Sequence, residues 1–168
     1  GGESTGIVDL PIQRERYTNF PKIEASGLKG CIRETFENSN NKIKINSTEV
    51  NIDDKTNIAL VFGPENGDEH ASSIAFTDAK ILLFPVKSLK GVFAWITCPM
   101  VLERFKEDIK LTGLDSGNEI LKINFSNLKN TIAQQTNICI DSKIVLEEYT
   151  FQVKEDNTTT QIAKYLSS

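Results

Sequence analysis

An apolar stretch flanked by two amphipathic ones constrains the fold of this chain more than any other feature. Residues 74–86 are apolar enough to form a long, largely buried strand, and residues 92–97 predict the strand that returns beside it. The turn-type sequence 87–91, Lys-Ser-Leu-Lys-Gly, separates them and predicts a hairpin. Residues 26–36 before this hairpin and 99–112 after it carry apolar side chains at helical spacing. The order is therefore helix, hairpin, helix.

The first helix is predicted to begin at Ser26, whose hydroxyl can accept from free amides of the next turn. Lys29 and Arg33 are expected on the side opposite to its apolar face. That face comprises Leu28, Cys31, Ile32, Thr35 and Phe36.

The second helix is predicted to begin at Pro99, because proline suits a first helical position, and to end at Gly113. Its predicted apolar stripe comprises Val101, Leu102, Phe105 and Ile109.

The segments between these helices are mostly polar. Residues 37–56 predict a loop or an exposed hairpin, and residues 55–62 predict a short buried helix stopped by Gly63 and Pro64. The only histidine, His70, falls in a polar stretch, where we expect a solvated loop residue.

The last third of the chain is less regular. Residues 113–142 are polar and Asn-rich, and we expect a projecting insertion with little core of its own. Residues 143–153 predict one strand, and the tail from Lys154 predicts weak structure. The whole order is compatible with one α+β domain over residues 1–168. We expect a ferredoxin-like, RNA-recognition-motif-like antiparallel sheet, with helices on one face and inserted loops or a hairpin.

Charge restricts the function classes. The net charge of −4 argues against an indiscriminate nucleic-acid binder. Residues 80–110, however, carry a local charge of +3, so any surface for a polyanion must be local.

The three cysteines are far apart and predict thiols rather than a zinc site. No apolar run is long enough to span a bilayer, and we expect a cytoplasmic location and no membrane partner.

The first sixteen residues combine a glycine-rich start with a dense polar cluster. Asp9 stands two residues before Pro11, which places a carboxylate in a constrained, extended segment. Arg14 and Arg16 follow closely. Taken alone, Asp9 is equally well a loop-capping aspartate.

Two lysine-containing segments resemble phosphate-binding turns. At Ser26, free helix amides, nearby glycines and Lys29 would suit an anionic ligand. A similar Ser-Leu-Lys-Gly sequence recurs at 88–91, between Lys87 and Lys90. The alternative is that these lysines only solubilise a helix surface and a hairpin tip.

Several separated blocks together resemble a known family. They are residues 6–16 (Gly-Ile-Val-Asp-Leu-Pro-Ile-Gln-Arg-Glu-Arg) with Phe20-Pro21 and Ser-Gly-Leu-Lys-Gly, then residues 77–91, then residues 98–105, with a shorter echo at 144–149. In this order they resemble the repeated backbone subunit of the Cmr (type III-B) CRISPR effector complex, in the RAMP superfamily. The family's first strand would precede Gly1 and its glycine-rich loop would follow Ser168, so we expect a partial chain.

The resemblance implies a subunit that polymerises along a CRISPR guide RNA and cuts paired target RNA at regular intervals, as an RNA endonuclease. Its partners would be guide RNA, target RNA, copies of itself and other Cmr subunits. By position, Asp9 matches the catalytic residue and Lys29 the guide contact. Mg²⁺ or another divalent cation, weakly bound and partly held by phosphates, is the expected cofactor, with metal ligands unassigned. The residues assigned to RNA binding are Ser26, Lys29, Arg14, Arg16, Lys87 and Lys90.

Three functions remain open on the sequence. The first is the catalytic backbone subunit, and the second is a purely architectural RNA-binding subunit in which Asp9 is structural. The third is an RNA-recognition module unrelated to CRISPR, which requires exposed aromatic residues on a sheet face. The sequence shows no obvious pair of this kind.

Overall fold

The computed structural model describes residues 12–39, 42–65, 70–113 and 118–167. Its contacts divide the chain into two compact units, residues 1–80 and residues 81–168. Four α-helices and several short, mostly antiparallel sheets lie within the described ranges, which confirms the α+β class. The ferredoxin-like strand order and the single-domain organisation stay predictions.

Unit 1 contains two helices and two small antiparallel sheets among its described residues. Strand β1 pairs with β4, and β2 pairs with β3 as the hairpin expected in this region. The elements are β1 (Lys22–Ile23), α1 (Ala25–Glu37), β2 (Lys42–Ile45), β3 (Thr48–Asn51), α2 (Lys55–Phe62) and β4 (Ala79–Lys80).

Helix α1 begins two residues earlier than predicted, and its buried side differs from the predicted apolar face. Its N-cap is Glu24, and Ser26 lies exposed inside the helix, so the N-cap assignment of Ser26 is wrong. Lys29 and Arg33 lie half-buried on the same side as Leu28 and Ile32, whereas the sequence placed them opposite. Both cations are drawn inward because they hydrogen-bond to groups elsewhere in unit 1.

Helix α2 forms at its predicted place but is buried on one side only, since Leu60 and Val61 are exposed. Asp54 caps it by accepting from the backbone N–H groups of Thr56 and Asn57. Ile58 and Phe62 are its buried residues, and Gly63 follows it with φ of +90°, an angle that favours glycine.

Unit 2 carries the second helix, α3 (Pro99–Leu111), at its predicted place, and this helix buries Val101 and Leu102. Four further elements were not predicted from the sequence: a 3-10 helix at Glu119–Lys122, two short strands at Thr131–Ile132 and Lys154–Glu155, and a helix at Asn157–Ser167. The elements are β5 (Phe84–Lys87), β6 (Phe93–Ile96), α3 (Pro99–Leu111), a short 3-10 helix (Glu119–Lys122), β7 (Thr131–Ile132), β8 (Lys143–Leu146), β9 (Tyr149–Gln152), β10 (Lys154–Glu155) and α4 (Asn157–Ser167).

Two predicted strands are wrong in extent. Within the expected strand 74–86, residues 74–78 and 81–83 are not in a strand, so that only two short strands form: β4 pairs with β1, whereas β5 pairs with β6. The expected strand 143–153 is a hairpin, because the chain turns at Glu147, whose φ is +51°.

The core of unit 2 overturns two further predictions. Leu102, Ile120, Phe125 and Ile162 form one buried cluster, in which Ile120 and Phe125 have no exposed surface. Residues 118–142 therefore contribute core, contrary to the expectation of little core there. The tail beyond Lys154 forms helix α4 and buries Ile162, so the prediction of weak structure is also wrong.

Candidate nucleic-acid interface

Asp9, the candidate catalytic residue, lies outside the described residues. The segment that follows it is a closed turn: Arg14 forms a bridge with Pro21, and Glu15 donates its N–H to the carbonyl of Phe20 at 2.8 Å. Asn19 adopts a φ of +59° within the turn. The polar residues that follow Pro11 in the sequence therefore include a structured turn before α1.

The two arginines of this turn differ in their contacts. Arg14 Nη1 donates to the carbonyl of Asn19 at 2.9 Å, which fixes one side of its guanidinium on the turn itself. Arg16 is exposed, and no contact ties it to the other described residues. Both side chains are exposed, and an exposed guanidinium group can bind a phosphate through paired N–H donors.

A carboxylate anchors the base of this turn. Asp78 Oδ2 accepts from Lys22 Nζ at 2.8 Å, and its Oδ1 accepts from the backbone N–H of Ala25 at 3.0 Å. These two hydrogen bonds, that from Lys22 first, lower the pKa of Asp78, and the bond to Asp78 raises the pKa of Lys22.

This anchor changes the predicted phosphate site. The first free amide of α1 already has a carboxylate partner, so an RNA phosphate at the helix start would compete with Asp78. Lys29 lies beyond the first turn, and its Nζ donates to Ser72 Oγ at 3.0 Å. The exposed face of α1 around Ser26 is the part of this site that stays open.

Gly27 and Gly30 leave part of that face without side chains, so that the helix backbone is accessible there. A Cβ added at Gly27 or Gly30 would meet nothing within 4 Å among the described residues. Glycine inside a helix costs roughly 1 kcal/mol relative to alanine. Packing within the described part of unit 1 gives no reason for that cost, whereas close approach of another molecule's backbone would.

The lysines of unit 2 lie on the β5–β6 hairpin. Lys87 is exposed at the end of β5, and Lys90 Nζ donates to the carbonyl of Cys139 at 3.0 Å. Ser88 is buried and bridges to Leu146. The Ser-Leu-Lys-Gly sequence at 88–91 is thus a hairpin tip, whereas its counterpart at 26–30 is helical, and the two are not a structural repeat.

The sequence analysis missed two exposed aromatic pairs. Phe93 and Trp95 on β6 lie 5.5 Å apart between ring centroids, and Tyr149 and Phe151 on β9 lie 6.5 Å apart. The alternation Phe93-Ala94-Trp95 is the signal that could have revealed the first pair, because residues two apart share a strand face.

The described residues offer no metal centre. Among them, no three His, Cys, Asp or Glu side chains are placed to hold a metal ion. In unit 2 an apolar cavity of about 370 Å³ is lined by one ionisable side chain, that of Cys98. In unit 1 a depression of about 450 Å³ is lined by more acids than bases, which disfavours a polyanion there. No described helix is long and apolar enough to cross a membrane.

Comparison with known proteins gives a consistent result. The model of the RAMP superfamily matches residues 1–165. The CRISPR system Cmr endoribonuclease Cmr4 of Pyrococcus furiosus is 39% identical over 158 residues, which are 93% of this chain and 48% of that protein. The chain therefore spans about half the length of this relative.

Solved structures show the same fold. The crystal structure of oligomeric Cmr4 from Pyrococcus furiosus has a TM-score of 0.68 and 36% identity, covering 93% of this chain and 52% of that one. A cryo-EM structure of the type III-B Cmr-beta complex bound to cognate target RNA has a TM-score of 0.64 at 22% identity, covering 96% of this chain and 56% of that one. The second likeness concerns the fold alone.

Proposed function

The chain belongs to the RAMP superfamily, and on that premise we propose that it is a backbone subunit of an RNA-guided effector that binds guide RNA and cleaves target RNA. The observation that carries the proposal is 39% identity to a Cmr endoribonuclease over 93% of this chain. The family model matches residues 1–165, a range that includes Asp9 and the start of α1. The proposed partners are guide RNA, target RNA, further copies of the chain and other subunits of the complex.

Asp9 is the proposed catalytic residue. RNA carries its own nucleophile, and a carboxylate beside a ribose can accept the proton of the 2′-hydroxyl. The 2′-oxygen then attacks the adjacent phosphorus and the 5′-oxygen leaves, taking up a proton. The products are a 2′,3′-cyclic phosphate and a 5′-hydroxyl. The anchored turn at residues 14–21 supports this role, because it gives the chain a fixed attachment a few residues after Asp9.

The proposed RNA contacts differ in kind. Arg14 and Arg16 offer guanidinium groups at the turn. The helix around Ser26 offers accessible backbone, because the two helical glycines have no side chains there. Lys29 would reach a phosphate only by exchanging its bond to Ser72. Lys87 and Lys90 belong to unit 2, and Lys90 would reach a phosphate only by exchanging its bond to Cys139.

A divalent cation such as Mg²⁺ stays part of the proposal only as a phosphate-bound ion. The part of the chain that the structure describes contains no donor set that fits a protein-held metal. No step above depends on one.

Target cleavage is the decisive test. The complex reconstituted with this subunit and a guide RNA should convert labelled target RNA into a ladder of regularly spaced products. A complex that binds target RNA but leaves it intact would favour the architectural alternative, in which Asp9 only shapes the loop.

A further inference from the structure

An aromatic pair lies on the outward face of the β5–β6 hairpin. Phe93 and Trp95 are 47% and 59% exposed, whereas Ala94 between them is buried. Because successive strand residues point to opposite faces, both rings lie on the face that the core does not use. Their planes are nearly perpendicular, at 88°. A paired strand thus holds two large rings in solvent.

Positive charge accompanies the rings. The register places Lys87 opposite Phe93 and Pro85 opposite Trp95, and all four side chains are exposed. Side chains directly opposite each other on a sheet lie within contact distance. The ammonium of Lys87 has no hydrogen-bond or ion-pair partner among the described residues, in contrast to Lys90, which is bound to Cys139.

We propose that this aromatic face, formed by Phe93, Trp95 and Lys87, binds single-stranded RNA by stacking bases on the two rings while Lys87 contacts a phosphate. The inference rests on the proposed RNA-binding function and adds to it two aromatic residues, Phe93 and Trp95, that the family motifs do not assign. Aromatic residues on a sheet face stack RNA bases in this way. Stacking tolerates any base, which suits a subunit that must hold guides of differing sequence.

The charge argues for RNA rather than a polypeptide as the occupant. Lysine is depleted at the centre of protein–protein interfaces, yet the side chain facing Phe93 is a lysine. Lys87 thus supplies a positive charge beside two exposed rings. A polyanion with flat aromatic bases matches both properties of this face.

The test uses the protein's own fluorophore, because Trp95 is the only tryptophan of the chain. We expect a uridine oligonucleotide to quench its fluorescence, whereas an inorganic polyphosphate of equal charge should bind without quenching. Trp95→Leu and Phe93→Leu should each weaken oligonucleotide binding about 5- to 150-fold, the range for one base–aromatic stack. Tyr149→Leu, which removes an exposed aromatic residue of β9, is the matched control and should change little.

Each other result overturns the proposal. Oligonucleotide binding with unchanged fluorescence would refute stacking but leave the proposed function intact, whereas no RNA binding at all would refute both. Trp95 fluorescence that is blue-shifted and resistant to iodide in the assembled complex before RNA is added would show that polypeptide covers the face.

Discussion

Asp78 and Lys22 form an ion pair across 56 positions of sequence, with 2.8 Å between Oδ2 and Nζ. The second oxygen of the same carboxylate receives the backbone N–H of Ala25. One side chain therefore fixes both the end of the turn that follows Asp9 and the start of α1.

The contribution of Asp78 to stability should depend on pH. Folding lowers its pKa, so its contribution is present above about pH 4, the unfolded value, and is lost as pH falls further. Asp78→Asn should lower the thermal midpoint at pH 7, and the two proteins should converge near pH 3. Differential scanning calorimetry at both pH values measures this, and an equal difference at both would assign the effect to shape rather than charge.

Gly30→Ala should have opposite effects on the stability of the protein and on its affinity for RNA. The added Cβ meets nothing within 4 Å among the described residues, so the helix should gain roughly 0.5–1 kcal/mol. If RNA backbone approaches this face, affinity for guide RNA should fall at the same time. Denaturant titration and RNA binding on the same preparations decide it. A more stable variant with unchanged affinity would remove this face of α1 from the RNA site.

Lys29→Ala should weaken guide-RNA binding with little sequence preference. Losing one phosphate contact to a single strand reduces the slope of log affinity against log salt by roughly 0.7. Ser72→Ala is the control, because it removes the intramolecular partner of Lys29 and leaves the ammonium in place. A slope that Lys29→Ala leaves unchanged places this lysine away from RNA.

Phe125→Ala should destabilise unit 2 strongly. The ring is fully buried against Leu102, Ile120 and Ile162, and removing such a side chain typically costs 3–5 kcal/mol, as an order of magnitude. Chemical denaturation measures the loss, with exposed Leu89→Ala as the control. A cost below about 1 kcal/mol would mean that this segment is not part of the core in solution.

Asp9→Asn keeps the size of the side chain and removes its basicity. If Asp9 is the general base, target cleavage should fall by about 10²–10⁴, with assembly and guide binding near normal. If Asp9 only caps the loop, asparagine makes the same local hydrogen bond and should serve nearly as well. Cleavage rates of the reconstituted complex distinguish the two, and a rate within about threefold of the parent would exclude the catalytic role.

Local chemistry determined much of the secondary structure. Pro99 and the apolar spacing after it specify α3, and the apolar run ended by Gly63 specifies α2, because these signals act within one or two helical turns. The motif blocks in the sequence likewise indicated the family. The site residues Lys29, Arg14 and Lys87 were named from those blocks and from charge, and their roles in RNA binding stay predictions.

The tertiary structure decided what depends on distant partners. The hydrogen bond from Ala25 to Asp78 stabilises a helix start before Ser26. The hydrogen bond from Lys29 to Ser72 holds this lysine on the inner side of the helix. Phe125 and Ile162 lie in polar stretches with weak periodicity, and only their packing against Leu102 makes them core. The outward direction of Phe93 and Trp95 follows from which face of the hairpin the core covers. No local pattern contains that information, since burial and ion pairing are set by residues far away in the sequence.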